Sequence, residues 1–271
     1  MKLLLFLISL LVGFHLCSCD SDDIKKELTR PRRPPPPRSP PPPSTPPPRP
    51  PPPPPTILKC PESTRKPGFD HFLLTLTWPN AFCKLPGVTC KPSPPMQEHF
   101  TIHGLWPQNQ YHNGVTDCQE TAPLSDDILK QRKQKLLDFW PRLYSATNFE
   151  TSQKLWRDQW CKHGSCSSDK FKPDSYIDKA ITLASTYGQR IKNELEAAGI
   201  TPNGNAYSWE EMVEAMKRAT GNINVRLTCE EDALGKLQLS EIQICVESDA
   251  ETLKNCNRQT PVKCQKNLVF A

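Results

Sequence analysis

Two short segments each place a histidine directly before a glycine and close to tryptophan. One is Phe100-Thr101-Ile102-His103-Gly104-Leu105-Trp106-Pro107, and the other runs from Trp156 to Cys166 and contains Lys162, His163 and Gly164. At neutral pH two histidines can divide one task, because an unprotonated imidazole accepts a proton and a protonated one donates it. Cleavage of RNA needs such a pair: a base takes the 2′-hydroxyl proton, the oxygen attacks phosphorus, and an acid protonates the departing 5′-oxygen. Lys162 supplies a cation for the phosphate oxygens, and no metal is required because the nucleophile belongs to the substrate.

The elements that must position these residues predict an α+β domain. Phe69–Trp78 is apolar on both faces, which is typical of a strand at the centre of a sheet, and His99–Leu105 is a second strand. Thr151–Lys162 has a helical pattern with Gly164 at its C-cap. Further helices and strands are predicted at Ser125 to Pro141, Pro173–Ala198, Ser208 to Gly221, Asn224–Cys229 and Leu237–Val246, the last two joined through Gly235. We expect a central, mainly antiparallel sheet flanked by helices.

The N-terminal fifth of the chain differs from the rest. Residues 1–19 begin with Lys2, continue as an apolar run too short to span a bilayer, and end in small residues, which indicates a cleaved secretory signal rather than a membrane anchor. Residues 20–55 form a Pro/Arg-rich extension that holds 18 of the 31 prolines, between Pro31 and Pro55. Such a segment favours extended polyproline II without a core, so it is expected to be disordered. Residues 56–271 are expected to form one domain, and no membrane segment is expected after the signal.

One part of the extension resembles the Ser-Pro repeat of plant extensins. The segment is Ser39-Pro40-Pro41-Pro42-Pro43-Ser44. The resemblance implies proline hydroxylation, sugar addition and association with the cell wall. A stiff spacer, or docking to an aromatic groove of a partner, are the alternatives.

Composition and charge exclude some classes of protein. Apolar residues recur at core-forming density from Thr56 onward, which excludes a wholly disordered chain, and the only long apolar run is at the N-terminus, which excludes a polytopic membrane protein. The chain carries 34 Lys/Arg and 29 Asp/Glu, of which residues 1–56 hold 8 and 4, so residues 57–271 hold 26 and 25. The domain is therefore close to neutral, and contact with nucleic acid must use a local patch.

Ten cysteines remain after the signal. In an oxidising compartment an even number favours disulfides, although counting cannot choose the pairs. A zinc site at Cys161, His163 and Cys166 is the rival interpretation, and no second pair of ligands answers it. We therefore expect no metal and no cofactor.

The two histidine segments are similar to the two active-site segments of the T2 family of secreted ribonucleases. Phe69–Cys83 also resembles the first strand of its plant members, both the self-incompatibility ribonucleases and their S-like relatives. The resemblance implies an antiparallel sheet with flanking helices, single-stranded RNA as substrate and 2′,3′-cyclic phosphate products. It also implies roles for individual residues: His103 as general acid, His163 as general base, Lys162 as the stabilising cation, Trp106 as part of a base-binding site and Thr77 at the other base site.

The same resemblance implies the disulfide pairs by their order. They are Cys83–Cys90, Cys118–Cys166, Cys229–Cys264 and Cys245–Cys256. Cys60 and Cys161 remain, either as a fifth bridge, which we favour, or as two free thiols.

The chain departs from the family at Asp158-Gln159, where most members have His-Glu. Asp158 would bring a negative charge to the phosphate unless Arg157 or Lys162 offsets it, or it lies on a solvated helix face. Gln159 can donate a hydrogen bond to phosphate but cannot take a proton. We expect activity that is present and lowered.

The leading hypothesis is a secreted, monomeric endoribonuclease of low base specificity, extracellular with the cell wall or vacuole as further locations. One alternative is a non-catalytic or weakly active recognition or cell-wall protein on the same scaffold, favoured by Asp158-Gln159 and opposed by His103, Lys162 and His163. The other is a pistil self-incompatibility ribonuclease, against which the near-neutral domain charge counts.

Overall fold

A computed structural model describes the chain at Cys60 and at residues 62–91, 96–111, 113–119, 122–146, 148–257 and 259–271. The expected signal, residues 1–19, and the expected disordered extension, residues 20–55, lie outside the described residues. Within them, helices pack on a mainly antiparallel sheet, so the predicted α+β class is confirmed.

The strands form one large sheet and one separate pair. Their bounds are β1 His71–Thr77, β2 Cys90–Lys91, β3 Thr101–Gln108, β4 Ser145–Ala146, β5 Asn205–Ser208, β6 Arg226–Glu231, β7 Leu237–Glu247, β8 Leu253–Lys254 and β9 Asn267–Phe270. The large sheet has the order β3-β1-β7-β9-β5, and β6 and β8 also pair with β7. Its pairings are antiparallel except for β7 with β9, whereas β2 and β4 form a separate parallel pair. The predicted hairpin of β6 and β7 is present, and Gly235 in its turn has a positive φ of 75°.

The α-helices lie mainly between β3 and β6 in the chain. Their bounds are α1 Pro79–Cys83, α2 Asp126–Gln131, α3 Lys133–Phe139, α4 Phe149–Lys162, α5 Pro173–Leu183, α6 Gln189–Ala197 and α7 Trp209–Ala219. The single helix predicted after Ser125 is interrupted, because Arg132 leaves helical backbone angles and its guanidinium binds both Ile128 O and Asp178. The helix predicted at Pro173–Ala198 contains a π-helical turn between α5 and α6, which apolar spacing does not reveal.

Strand β1 is buried along its whole length, as its two apolar faces predict. Phe72, Leu74 and Leu76 point into the main core under the helices. Leu73, on the opposite face, packs in a small second cluster with Trp106 and the Cys245–Cys256 bridge. The sheet therefore has apolar contacts on both faces at β1, and β3 is held as its edge strand.

Helix α4 carries the second histidine segment. It begins at Phe149, two residues before the predicted start, because the Asn148 side chain accepts a hydrogen bond from the Thr151 amide and Thr151 Oγ1 accepts one from the Asn148 amide. The C-cap is His163, and Gly164 opens a 3-10 turn. Gly164 is needed for space: a Cβ there would overlap the Trp160 ring and lie 3.0 Å from Tyr176.

Five disulfides crosslink the described part of the chain. They join the four pairs that the family resemblance implies, and the structure also contains the fifth bridge, Cys60–Cys161. Two of them, Cys60–Cys161 and Cys118–Cys166, attach distant segments to the end of α4 and the turn that follows it.

Candidate active site

His103 lies at a β-bulge of the edge strand β3. Leu76 of β1 pairs with Ile102 and Thr75 pairs with Gly104, so His103 is the extra residue between them. In a regular strand, side chains three positions apart point to opposite faces. The bulge instead lets His103 and Trp106 meet on one face, with ring centroids 4.9 Å apart.

The partner of His103 is Glu241 of β7, a residue that the sequence reasoning missed. Nδ1 of His103 lies 2.6 Å from Glu241 Oε1. The same oxygen accepts a hydrogen bond from Thr77 Oγ1 at 3.3 Å, and Glu241 Oε2 accepts one from Thr228 Oγ1 at 3.4 Å. One signal was available: Glu241 is the charged residue inside a strand that is otherwise apolar or neutral up to its last position.

Trp106 lies between the two histidines. Its ring centroid is 5.5 Å from that of His163, and its indole N–H donates to Gln159 Oε1 at 3.0 Å. The indole covers Gly104, where a Cβ would overlap the Trp106 ring and lie 2.8 Å from Gln159 Oε1. Gly104 is therefore required by the packing of Trp106.

His163 is the C-cap of α4 and is held from two sides. Its amide donates to Gln159 O at 3.0 Å, and the Asp117 amide donates to Lys162 O at 2.8 Å, next to the Cys118–Cys166 bridge. Nδ1 of His163 is buried without a hydrogen-bond partner among the described residues. Burial lowers the pKa of His163 to about 4; the charge of Lys162 also lowers it, and that of Asp117 raises it. The imidazole is therefore neutral over most of the physiological pH range.

Two further residues of α4 lie beside His163. Lys162 is exposed, whereas Gln159 is half-buried and its carbonyl oxygen is used by Trp106. The amide NH₂ of Gln159 is thus the group left to donate to a ligand.

Asp158 is paired with Lys154 rather than with Arg157, one of the two cations that the sequence suggested. Arg157 is buried and donates instead to Leu124 O and to Asp126. These hydrogen bonds tie α4 to the start of α2. Lys154, one turn earlier on α4, pairs with Asp158 at 2.5 Å. Both side chains are exposed, and both line a cleft.

This cleft, of about 390 Å³, opens directly beside His103. Its floor contains Thr77 and Glu241, and its rim contains Tyr144, which is 49% exposed and has the Arg142 guanidinium 6.0 Å from its ring centroid. The remaining lining residues are mostly apolar: Phe82, Ile102, Pro141, Leu143, Lys154, Leu155 and Asp158. Three residues of the predicted site, His103, Thr77 and Asp158, line this cleft. The other four, Trp106, Gln159, Lys162 and His163, do not.

The described residues contain neither a metal-ligand cluster nor a membrane-spanning helix. No cluster of three or more His, Cys, Asp or Glu side chains has a metal-binding arrangement in that part of the chain. No helix in it is long and apolar enough to cross a bilayer.

Known proteins resemble this chain over most of its length. The family model of the ribonuclease T2 family matches residues 69–256. Ribonuclease S-2 of Nicotiana alata is 32% identical over 217 residues, which cover 79% of this chain and 94% of that protein. Ribonuclease MC of Momordica charantia is 30% identical over 203 residues, covering 74% and 100%.

The fold is also that of solved ribonucleases. The crystal structure of RNase NT in complex with 5′-AMP matches with a TM-score of 0.67 at 25% identity, covering 75% of this chain and 98% of that one. The family match spans both histidine segments, the edge strand and α4. The chain therefore belongs to the ribonuclease T2 family and is an endoribonuclease.

Proposed function

We propose that residues 56–271 cleave single-stranded RNA by a two-histidine mechanism that passes through 2′,3′-cyclic phosphates and has low base specificity. The observation that carries the proposal is the pair of imidazoles on either side of Trp106. One ring is hydrogen-bonded to a carboxylate, and the other is buried with a lowered pKa. These different surroundings suit an acid and a base, respectively.

His163 is the general base of the first step. Because burial lowers its pKa to about 4, its imidazole is neutral and able to take the 2′-hydroxyl proton. The 2′-oxygen then bonds to phosphorus, and the bond from phosphorus to the 5′-oxygen breaks.

His103 is the general acid that protonates the departing 5′-oxygen. Charge that develops on the other phosphate oxygens is stabilised by Lys162 and by the amide NH₂ of Gln159, which the indole of Trp106 holds in place through the carbonyl oxygen. The nucleophile comes from the substrate, so these steps need no metal ion.

The cleft beside His103 receives a base of the RNA. Its apolar walls and the exposed ring of Tyr144 favour stacking, which tolerates every base. Thr77, which lines this cleft, belongs to one base site, and Trp106, which does not line it, belongs to the other. RNase NT, the relative solved with 5′-AMP, supports a nucleotide site in this fold. Asp158 lies at the rim of the cleft, where its pairing with Lys154 weakens repulsion of phosphate.

The test is RNA cleavage by the full chain in the presence of EDTA, beside His103→Ala, His163→Ala and the control His99→Ala. His99 lies four residues before His103 and faces Asp138 at 3.7 Å, away from the cleft. We expect cyclic-phosphate ends, EDTA-resistant activity, loss in both active-site variants and full activity in the control. Wild-type activity in either active-site variant would refute the mechanism.

The enzyme acts outside the cell in this proposal. The apolar residues 1–19 support export, and five disulfides favour an oxidising compartment. Residues 20–55 would then contact the cell wall. N-terminal sequencing of the protein from wall and medium fractions tests this: a start near residue 20 in the wall fraction is expected, and an intact Met1 would contradict export by cleavage.

A further inference from the structure

Glu241 is placed where three strands of the sheet bring side chains together. It is paired in register with Thr77 of β1 and Thr228 of β6, and each of these threonines donates a hydrogen bond to one of its oxygens. Its side chain is 19% exposed, so its orientation is determined by protein groups more than by solvent. The carboxylate is thus held in place by β1 and β6 independently of its contact with the imidazole of His103.

The contact with His103 determines where that ring carries its proton. An ionised carboxylate only accepts hydrogen bonds, so Nδ1, which lies 2.6 Å from Glu241 Oε1, must be the donor. Neutral His103 therefore holds its hydrogen on Nδ1, and Nε2 is left with its lone pair. A free imidazole favours the opposite tautomer, with hydrogen on Nε2.

We propose that Glu241 is a positioning residue that holds the ring of His103 and fixes its Nδ1–H tautomer. The inference rests on the proposed role of His103. Thr77 and Thr228 serve this function by aiming the carboxylate. Thr77 thus has two roles: it orients the carboxylate that holds His103, and it lines the cleft.

The tautomer matters most in the second reaction, hydrolysis of the cyclic phosphate. There, neutral His103 takes a proton from water at Nε2, the water oxygen bonds to phosphorus, and the bond from phosphorus to the 2′-oxygen breaks. Protonated His163 returns its proton to that 2′-oxygen. In the first reaction His103 starts protonated on both nitrogens, so the tautomer has no effect there, and ring orientation and the carboxylate charge beside the ring count instead.

This difference separates two variants. Glu241→Ala removes both orientation and tautomer control. Glu241→Gln keeps the shape and can hold the ring, but its amide either accepts from Nδ1–H or donates to Nδ1, so both tautomers are allowed. Glu247→Gln is the matched control, because Glu247 ends the same strand and pairs with Lys254 instead.

The experiment measures kcat and KM of the full-chain enzyme for a dinucleoside phosphate and, separately, for a nucleoside 2′,3′-cyclic phosphate. We expect Glu241→Ala to lower kcat about 10- to 100-fold in both reactions, by a larger factor than it changes KM. Glu241→Gln should lower kcat for the cyclic phosphate several times more than kcat for the dinucleoside phosphate. Glu247→Gln should match wild type in both.

Nitrogen-15 NMR of the ring of His103 in the wild-type enzyme provides a readout that needs no variant. Hydrogen on Nδ1 of the neutral ring is expected, and hydrogen on Nε2 would overturn the inference. Wild-type kcat in Glu241→Ala, while His103→Ala is inactive, would also overturn it and leave the two-histidine mechanism intact. An active His103→Ala would instead remove the mechanism itself.

Discussion

The neutral form of His163 is a property of its surroundings, and these can be changed one at a time. Burial is the largest cause of its lowered pKa, Lys162 acts in the same direction, and Asp117 acts in the opposite direction. A base is active when unprotonated, so kcat/KM should fall as the pH drops through about 4, rather than through the ordinary histidine pKa of about 6.5.

We predict that Lys162→Gln moves this acidic limb to higher pH, because a charge that lowers the pKa is lost. Asp117→Asn should move it to lower pH, because a charge that raises the pKa is lost; Asn also tolerates the positive φ of 57° at this position. The measurement is kcat/KM from pH 3 to 8. Lys162→Gln will also reduce the maximal kcat/KM, but the pH at the midpoint of the acidic limb does not depend on that maximum. A midpoint that moves oppositely in either variant contradicts the assignment of His163 as base.

Asp158 leads to a second prediction at this scale. Its carboxylate lines the cleft, and its pairing with the exposed Lys154 compensates only in part. Asp158→Asn should therefore lower KM for RNA a few-fold, and Lys154→Gln should raise it, with stability changed by less than about 0.5 kcal/mol in both. Steady-state kinetics at low salt checks this. Equal KM values in all three proteins would mean that phosphate does not approach Asp158.

Much of the candidate site could be predicted from single residues. The residues that were missed owe their roles to contacts that form only in the folded chain. His103 and Lys162-His163 stand in recognisable segments, and the structure brings them to one place around Trp106. Glu241 has no motif, since its contact arises from strand pairing across 138 positions. The compensating role of Lys154 was missed because Arg157, nearer in sequence, turns inward.

Strand β3 is the element on which the geometry of the site depends. Its bulge places His103 and Trp106 on one face, and Gly104 leaves room for the indole. We predict that Gly104→Ala reduces activity at least about 10-fold, because the indole and with it Gln159 must move. RNA cleavage and thermal unfolding, measured on the same samples, check whether the loss exceeds what instability explains.

Gly114→Ala, outside β3, is the control for Gly104→Ala. A Cβ at Gly114 would find its nearest neighbour, Gln108 Nε2, at 3.7 Å, which is ordinary contact. It should retain wild-type activity. If Gly104→Ala were equally active, the position of Trp106 over the glycine would not matter for catalysis.

At the level of elements, prediction succeeded where apolar periodicity is strong. Strand β1, the β6–β7 hairpin and α7 after its Ser208 cap all lie where alternation and capping residues indicate. The short strands β2, β4, β5, β8 and β9 were missed, because two to four residues carry too little pattern. The bulge in β3 was missed as well, because an extra residue is visible only against its partner strand.

The Cys60–Cys161 bridge acts on the molecule as a whole. It closes a segment of 101 residues, whereas Cys83–Cys90 closes one of 7. Because a crosslink restricts the unfolded chain more when the loop is longer, we predict that replacing Cys60 and Cys161 by serine costs about 2–4 kcal/mol. The same change at Cys83 and Cys90 should cost less.

Denaturant unfolding at equilibrium gives both free energies. Activity below the transition should persist in the first variant, because the Cys118–Cys166 bridge and the hydrogen bond from the Asp117 amide still hold the end of α4. A larger destabilisation in the Cys83–Cys90 variant would contradict the loop-length argument.

The overall class was predictable, and the order of the strands was not. Alternating strands and amphipathic helices indicate an α+β domain, but the parallel pairing of β9 with β7 involves a short segment, β9, that has no local signal. The fifth disulfide was favoured only because Cys60 and Cys161 remained after the other pairs were assigned, since no local pattern joins residues 101 positions apart. Long-range pairing is thus where sequence patterns lose their information.

The indole between the two imidazoles also gives the enzyme a built-in optical reporter. Protonated imidazole quenches indole fluorescence, and Trp106 is within 6 Å of both ring centroids. Trp78, Trp140, Trp156 and Trp160 are almost fully buried in the core, so their emission should respond little to pH. The difference in emission between wild type and Trp106→Phe, followed from pH 3 to 8, should therefore trace the charge state of the active site without any substrate.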